Sequence, residues 1–220
     1  MLTGPLAINW AVQVWKVDII NMSFALQQTN PDIDEAIKED LDSTNIIFAA
    51  AGNNQGGNTR RSWLASKDGV IAVHTTGGMG KPVNINPSST EGACFATLGT
   101  SIPHKSYPVD EDGRVDHSHI FISGTSFATP VAAGIAANVL EYARHHIDDL
   151  NERRKERLYS VPCMEKIFET MSEKHGDCLY VQPWTFWEER IRDGWWKGKY
   201  YPEDDPENVA SALSYIVPCV

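Results

Sequence analysis

No run of apolar residues in the 220-residue sequence reaches the ~18 that a bilayer span needs. The longest candidate, Phe127 to Leu140, reads instead as a buried helix, so no membrane partner is expected. A basic-plus-apolar leader is also missing, which favours an intracellular setting. Positive charge is scarce: 19 Lys and Arg against 29 Asp and Glu leave a net charge of -10. With so little to neutralise phosphates, nucleic acid is excluded as a partner. Cysteine is sparse too. Cys94, Cys163, Cys178 and Cys219 show no Cys-x-x-Cys spacing, and without a leader they are expected as reduced thiols rather than a disulfide frame. The acidic residues Asp110, Glu111, Asp112 and Asp116 lack a calcium-loop pattern, so neither metal nor cofactor is expected. Internal repeats and low-complexity tracts are absent.

What is present alternates between helix and strand signals. Ala7, Trp10, Ala11 and Val14 recur at helical spacing within Pro5 to Trp15, which predicts an amphipathic helix. Val17 to Phe24 is apolar and β-branched, as a buried parallel strand should be. Asn30 is placed to cap a helix opened by Pro31, with Asp32 and Asp34 in its first turn and Ile33, Ala36, Ile37 and Leu41 on its inner face. Ile46 to Ala51 is a second buried strand ending in a glycine-rich turn, Gly52 to Gly57. Strand, helix and strand with short joints make a βαβ unit and hence a parallel sheet. Gly69 to His74 and Cys94 to Leu98 are further strands, Val109 to His117 is a charged excursion, and His119 to Ser123 leads into a helix running to about His146.

That last helix opens with Gly124-Thr125-Ser126-Phe127-Ala128-Thr129-Pro130. Glycine permits unusual backbone angles, Thr125 or Ser126 caps, and Pro130 falls near the end of the first turn, where a missing N–H costs least. The small residues Ala128, Ala132, Ala133, Ala136 and Ala137 allow close packing. An ordinary Ser cap on a buried helix would account for this alone. The string resembles, however, the serine segment of the subtilisin-like proteases (subtilases). Two further blocks stand upstream in that family's order: Ile19-Ile20-Asn21-Met22-Ser23-Phe24 is similar to its cleft strand, and Ala49-Ala50-Ala51-Gly52-Asn53-Asn54 to its oxyanion segment.

The resemblance covers roughly residues 5 to 147. It implies that Ser126 is the nucleophile and Asn53 the oxyanion donor. It also implies that Ser23, Phe24 and Ala25 pair with an extended polypeptide substrate, while Ala50, Ala51 and Gly52 wall its side-chain pocket. Ala25 stands where the family commonly has Gly, and its methyl would crowd the substrate. The family's Asp and His motifs have no counterpart in the sequence. None of the seven histidines is an evident substitute: His119 lies up to roughly 23 Å from Ser126 along an extended chain, and His145 and His146 about five helical turns away.

Residues 1–147 are therefore expected to be a partial subtilase-like α/β domain, a truncated parallel sheet with flanking helices, lacking its base and inactive alone. Residues 148–220 are expected as a helical extension. The dense charges of Asn151 to Arg157 read as a solvated surface. Eight aromatics between 180 and 201 read as a small packed core or, alternatively, a ligand platform. A non-catalytic module binding peptides or a partner through the same cleft is the second functional expectation.

Overall fold

The computed structural model describes residues 4–26, 28–41, 45–53, 60–88, 92–106, 118–146, 156–186, 195–196 and 199–200. Four apolar segments, β1 (Ile19–Met22), β2 (Ile46–Ala50), β3 (Val70–Thr76) and β4 (Phe95–Leu98), pair side by side, each parallel to the last. Ile20 stands opposite Ile47, Ala49 opposite Ala72, and His74 opposite Ala96. Both faces of β2 and β3 are covered, which is why their sequences run apolar without alternation. β1 is shorter than Val17 to Phe24 and only partly buried; Asn21 is exposed because the strand lies at the sheet edge.

Two helices, α1 (Gly4–Gln13) and α2 (Pro31–Leu41), pack on one another beside the sheet. The cap of α2 is as expected: Asn30 Oδ1 accepts the N–H groups of Asp32 and Ile33 at 3.0 and 3.2 Å. The inner face of α1 differs from expectation. Ile8 and Val12 join the core with Met22, Ile33, Ala36, Ile37 and Ile47, whereas Ala7, Trp10 and Val14 are exposed. Apolar residues surround that helix, so periodicity could not choose the side that α2 covers.

The long helix α3 (Thr125–His146) covers the other face, reached through an antiparallel ribbon of β5 (Ile102–Ser106) and β6 (Ser118–Ile122). Among the described residues, no helix is long and apolar enough to cross a membrane. Residues 107–117 and most of Asn151 to Arg157, both read as charged surface, lie outside the described residues.

The extension is helical only in part. Ser160 caps α4 (Val161–Thr170), accepting the Cys163 N–H, with Pro162 in the first turn. This helix buries Cys163, Met164, Ile167 and Phe168 in the same core as Ala128, Ala132, Ala136 and Leu140 of α3. A hairpin follows, β7 (Ser172–His175) and β8 (Cys178–Val181), and β8 pairs parallel with β4. Among the described residues the sheet thus has six strands in the order β1-β2-β3-β4-β8-β7. Tyr180 is buried, its ring 5.5 Å from His175 and 6.1 Å from Trp184. The side chains of the remaining aromatics in that stretch lie outside the described residues.

Cys94 and Cys178, expected as reduced thiols, are joined by a disulfide across 84 residues. Parallel pairing of β4 with β8 sets these two positions opposite each other, a proximity that linear spacing cannot reveal. Cys163 is free and buried, and burial pushes its thiol up to about 12 against a weaker pull from Arg157. We expect iodoacetamide at about pH 8 to leave Cys163 unmodified in the folded chain and to alkylate it in urea, read by peptide mass. Modification without denaturant would contradict this packing.

Candidate functional site

The C-terminal end of β2 and the first turn of α3 meet where a parallel sheet characteristically presents its chemistry, beyond the carboxyl ends of its strands. Thr125 makes the junction. Fully buried, it accepts the Gly52 N–H on Oγ1 at 3.1 Å and donates that hydroxyl to Asn53 Oδ1, also at 3.1 Å. Its own N–H donates to Asn53 Oδ1 at 2.8 Å. Asn53 therefore caps α3 from a distant point in the chain, satisfying one of the orphan donors of the helix start.

This contact also orients the carboxamide. An N–H can only donate, so the atom facing Thr125 is the oxygen, and Nδ2, which lies beside Gly124, meets no acceptor among the described residues. Ser126 follows Thr125 as the second residue of α3 and is half-buried. It sits at the positive end of a 22-residue helix, where developing negative charge is stabilised. The sequence reading singled out Ser126 and Asn53; the structure brings Asn53 onto the residue preceding Ser126.

Two glycines make this approach possible for different reasons. Gly52 has φ +114°, a conformation closed to other residues without strain. Gly124 was expected to supply an unusual backbone angle, but its φ lies outside the left-handed region. A Cβ there would lie 2.9 Å from Asn53 Nδ2, so the requirement is space. Pro130 lies inside α3 on its exposed side, where the missing N–H leaves the Ser126 carbonyl without its usual helical partner.

Around this corner the backbone is pinned by residues that sequence reasoning passed over. The Thr97 hydroxyl donates to the Ala128 carbonyl at 2.7 Å, and the Gly124 N–H donates to the Gly99 carbonyl at 2.9 Å. Ser62 donates its hydroxyl to the Ala50 carbonyl at 2.7 Å and its N–H to the Ala51 carbonyl at 2.7 Å. Lone Ser and Thr residues carry no signal of such roles. Ala50, Ala51 and Gly52 are buried at the end of β2. Ser23, Phe24 and Ala25 run on from β1 without regular structure; Ser23 is half-buried, hydrogen bonded to Asn21, and Phe24 and Ala25 are exposed.

Among the described residues, no hydrogen bond joins Ser126 to a histidine or carboxylate. His74 is buried in β3, and burial first, then the Arg61 guanidinium, lowers its pKa to about 3. His145 pairs with Glu141 at 3.0 Å on the surface of α3, and His175 bonds the Gly80 carbonyl. His104 is exposed on β5. His117 and the side chains of His119 and His146 lie outside the described residues.

The model of the Subtilase family matches residues 6–158. "Subtilisin-like protease het-Q2" of Podospora anserina is 29% identical over 196 residues, covering 82% of this chain and 51% of its own length. The "Major intracellular serine protease" of Bacillus subtilis is 30% identical over 141 residues, covering 61% of this chain and 40% of its own. The chain thus spans about half the length, or less, of these curated relatives. In fold it is similar to the patellamide maturation protease PatA, with a TM-score of 0.59 at 19% identity, over 96% of this chain and 68% of that one.

Proposed function

Because the chain belongs to the subtilase family, we propose that it forms the nucleophile-bearing part of a serine endopeptidase acting on polypeptides. In this reading the Ser126 hydroxyl attacks the carbonyl carbon of a peptide bond. The carbonyl oxygen becomes an oxyanion and receives hydrogen bonds from Asn53 Nδ2 and from the N–H of Ser126, which the first turn of the helix leaves without an internal acceptor. The substrate backbone lies along Ser23, Phe24 and Ala25 as an added strand, and Ala50, Ala51 and Gly52 flank the pocket for its side chain. The supporting observation is the Asn53 carboxamide, its oxygen held by Thr125 and its amide nitrogen without an acceptor among the described residues.

Attack by serine also requires a base for the hydroxyl proton and a group that orients the base. Without one, the chain by itself gives little turnover: oxyanion stabilisation and binding alone leave about 10³–10⁴ over water. The alternative, a module that binds peptides through the same cleft without cleaving them, draws on the lack of a histidine or carboxylate bonded to Ser126 among the described residues.

The test is incubation of the purified chain with casein and, separately, with a fluorophosphonate. No casein hydrolysis and slow labelling confined to Ser126 are expected. Robust hydrolysis abolished by Ser126→Ala would overturn the expected inactivity while supporting the nucleophile. Hydrolysis or labelling that survives Ser126→Ala would sink the assignment of Ser126.

A further inference from the structure

We propose that His74, Cys94 and Cys178 form a zinc site that opens when the bond between the two cysteines is reduced. The three residues come from separate segments: His74 from β3, Cys94 from just before β4, and Cys178 from the start of β8. The register explains their meeting. His74 is opposite Ala96, Ala96 is opposite Tyr180, and stepping two residues back along β4 and β8 brings Cys94 and Cys178 to the same face. Their relative exposures are 0%, 3% and 5%, and their donor atoms all lie within 4.8 Å of one another.

His74 supplies the independent indication of a ligand. Neither ring nitrogen has a hydrogen-bond partner among the described residues, although the side chain is wholly buried. Buried polar groups are rarely left so, because the lost hydration is not repaid. Nothing in the Ser126 site uses this ring. A metal ion beside it would take up one nitrogen lone pair.

The donor set selects the ion. Two thiolates and an imidazole suit zinc, at about 2.3 Å from sulfur and 2.0–2.1 Å from nitrogen. Neighbouring ligands then stand about 3.5–3.8 Å apart, so the two sulfurs must part from bonding distance once the disulfide is reduced. Two thiolates balance the double charge of zinc, and a neutral imidazole adds none, which matters at so low an exposure. No fourth His, Cys, Asp or Glu joins the group among the described residues, which leaves the remaining position to water.

Oxidation state decides occupancy. In the disulfide the sulfurs are bonded to each other and are not available as thiolates. A dithiol reductant gives two electrons and two protons, yielding two thiols and its own disulfide. Zinc then displaces two protons and forms two Zn–S bonds. Either state ties β8 to β4, once covalently and once through the ion. Cys178 lies beyond residue 158, where the family match ends, so the site draws on a residue outside the matched segment.

The full chain, reduced with a dithiol, freed of reductant under argon and titrated with cobalt(II) and then zinc, tests this. We expect one equivalent of cobalt with thiolate-to-metal charge-transfer absorption, displaced by zinc, and none in the oxidised chain. Cys94→Ser and Cys178→Ser should each weaken that absorption sharply, and Cys163→Ser should not. His74→Gln should weaken zinc by more than about 10-fold, the loss that even an outer-shell partner produces. Should a variant fail to fold, the thermal midpoint of the reduced wild-type chain decides: zinc should raise it. Absence of stoichiometric binding, no zinc effect on that midpoint, or charge transfer that persists in the folded Cys94→Ser and Cys178→Ser chains would overturn the proposal.

Discussion

Phe168→Ala is expected to destabilise the whole fold by about 3–5 kcal/mol, the cost of removing a large ring from a core that cannot close over the gap. Phe168 is fully buried on α4, with its ring 5.6 Å from both Phe48 of β2 and Phe95 of β4, edge-on to the second. It shares one core with Met164, Ile167 and Met171 of the extension and Ala128, Ala132 and Val139 of α3. The ring therefore joins the sheet to a segment that sequence reading placed outside the main domain. For a chain of this size, the loss lowers the thermal midpoint by on the order of 10 °C. Deleting residues 150–220 should do more, removing α4, β8 and the Cys94–Cys178 bond together, and is expected to abolish the cooperative transition. Thermal unfolding followed by circular dichroism checks both. A Phe168→Ala midpoint within about 2 °C of the parent would show that α4 is not part of the core.

The second large effect is on rate. Asn53→Ala should lower any Ser126-dependent turnover of an activated ester by about 10²–10³, a magnitude taken from the loss of the corresponding donor in subtilisin. KM should change little, since the donated bond strengthens only as the oxyanion forms. Alanine also removes the acceptor of the Thr125 N–H, a helix cap worth about 1 kcal/mol. Asn53→Asp separates the two roles. A carboxylate still accepts from the Thr125 N–H and hydroxyl, so stability should be preserved. It offers no proton to an oxyanion and repels it, so the rate should fall at least as far as with alanine. An Asn53→Asp chain with undiminished Ser126-dependent turnover would refute the donor role.

Much of the frame was legible because its signals are local. The cap at Asn30 and the apolar runs of β2 and β3 follow from neighbouring residues alone. Ser126 and Asn53 stood out through resemblance of short strings. What escaped depends on residues far apart in sequence. The bond between Cys94 and Cys178 spans 84 positions, and the clasp between Gly52, Asn53 and Thr125 spans more than 70. Gly124 was noticed for a conformational reason, whereas its place is fixed by the side chain that passes over it. The inner face of α1 stayed hidden because apolar residues encircle that helix, and only contact with α2 chooses among them.

The clasp has a dynamic corollary. Thr125 holds both Gly52 and Asn53, and Ser126 is one residue further on. Fraying of the helix start would release all three hydrogen bonds together, so the site should behave as assembled or dismantled, with no half-competent form between. The amide protons of Gly52 and Thr125 would then exchange with solvent in step.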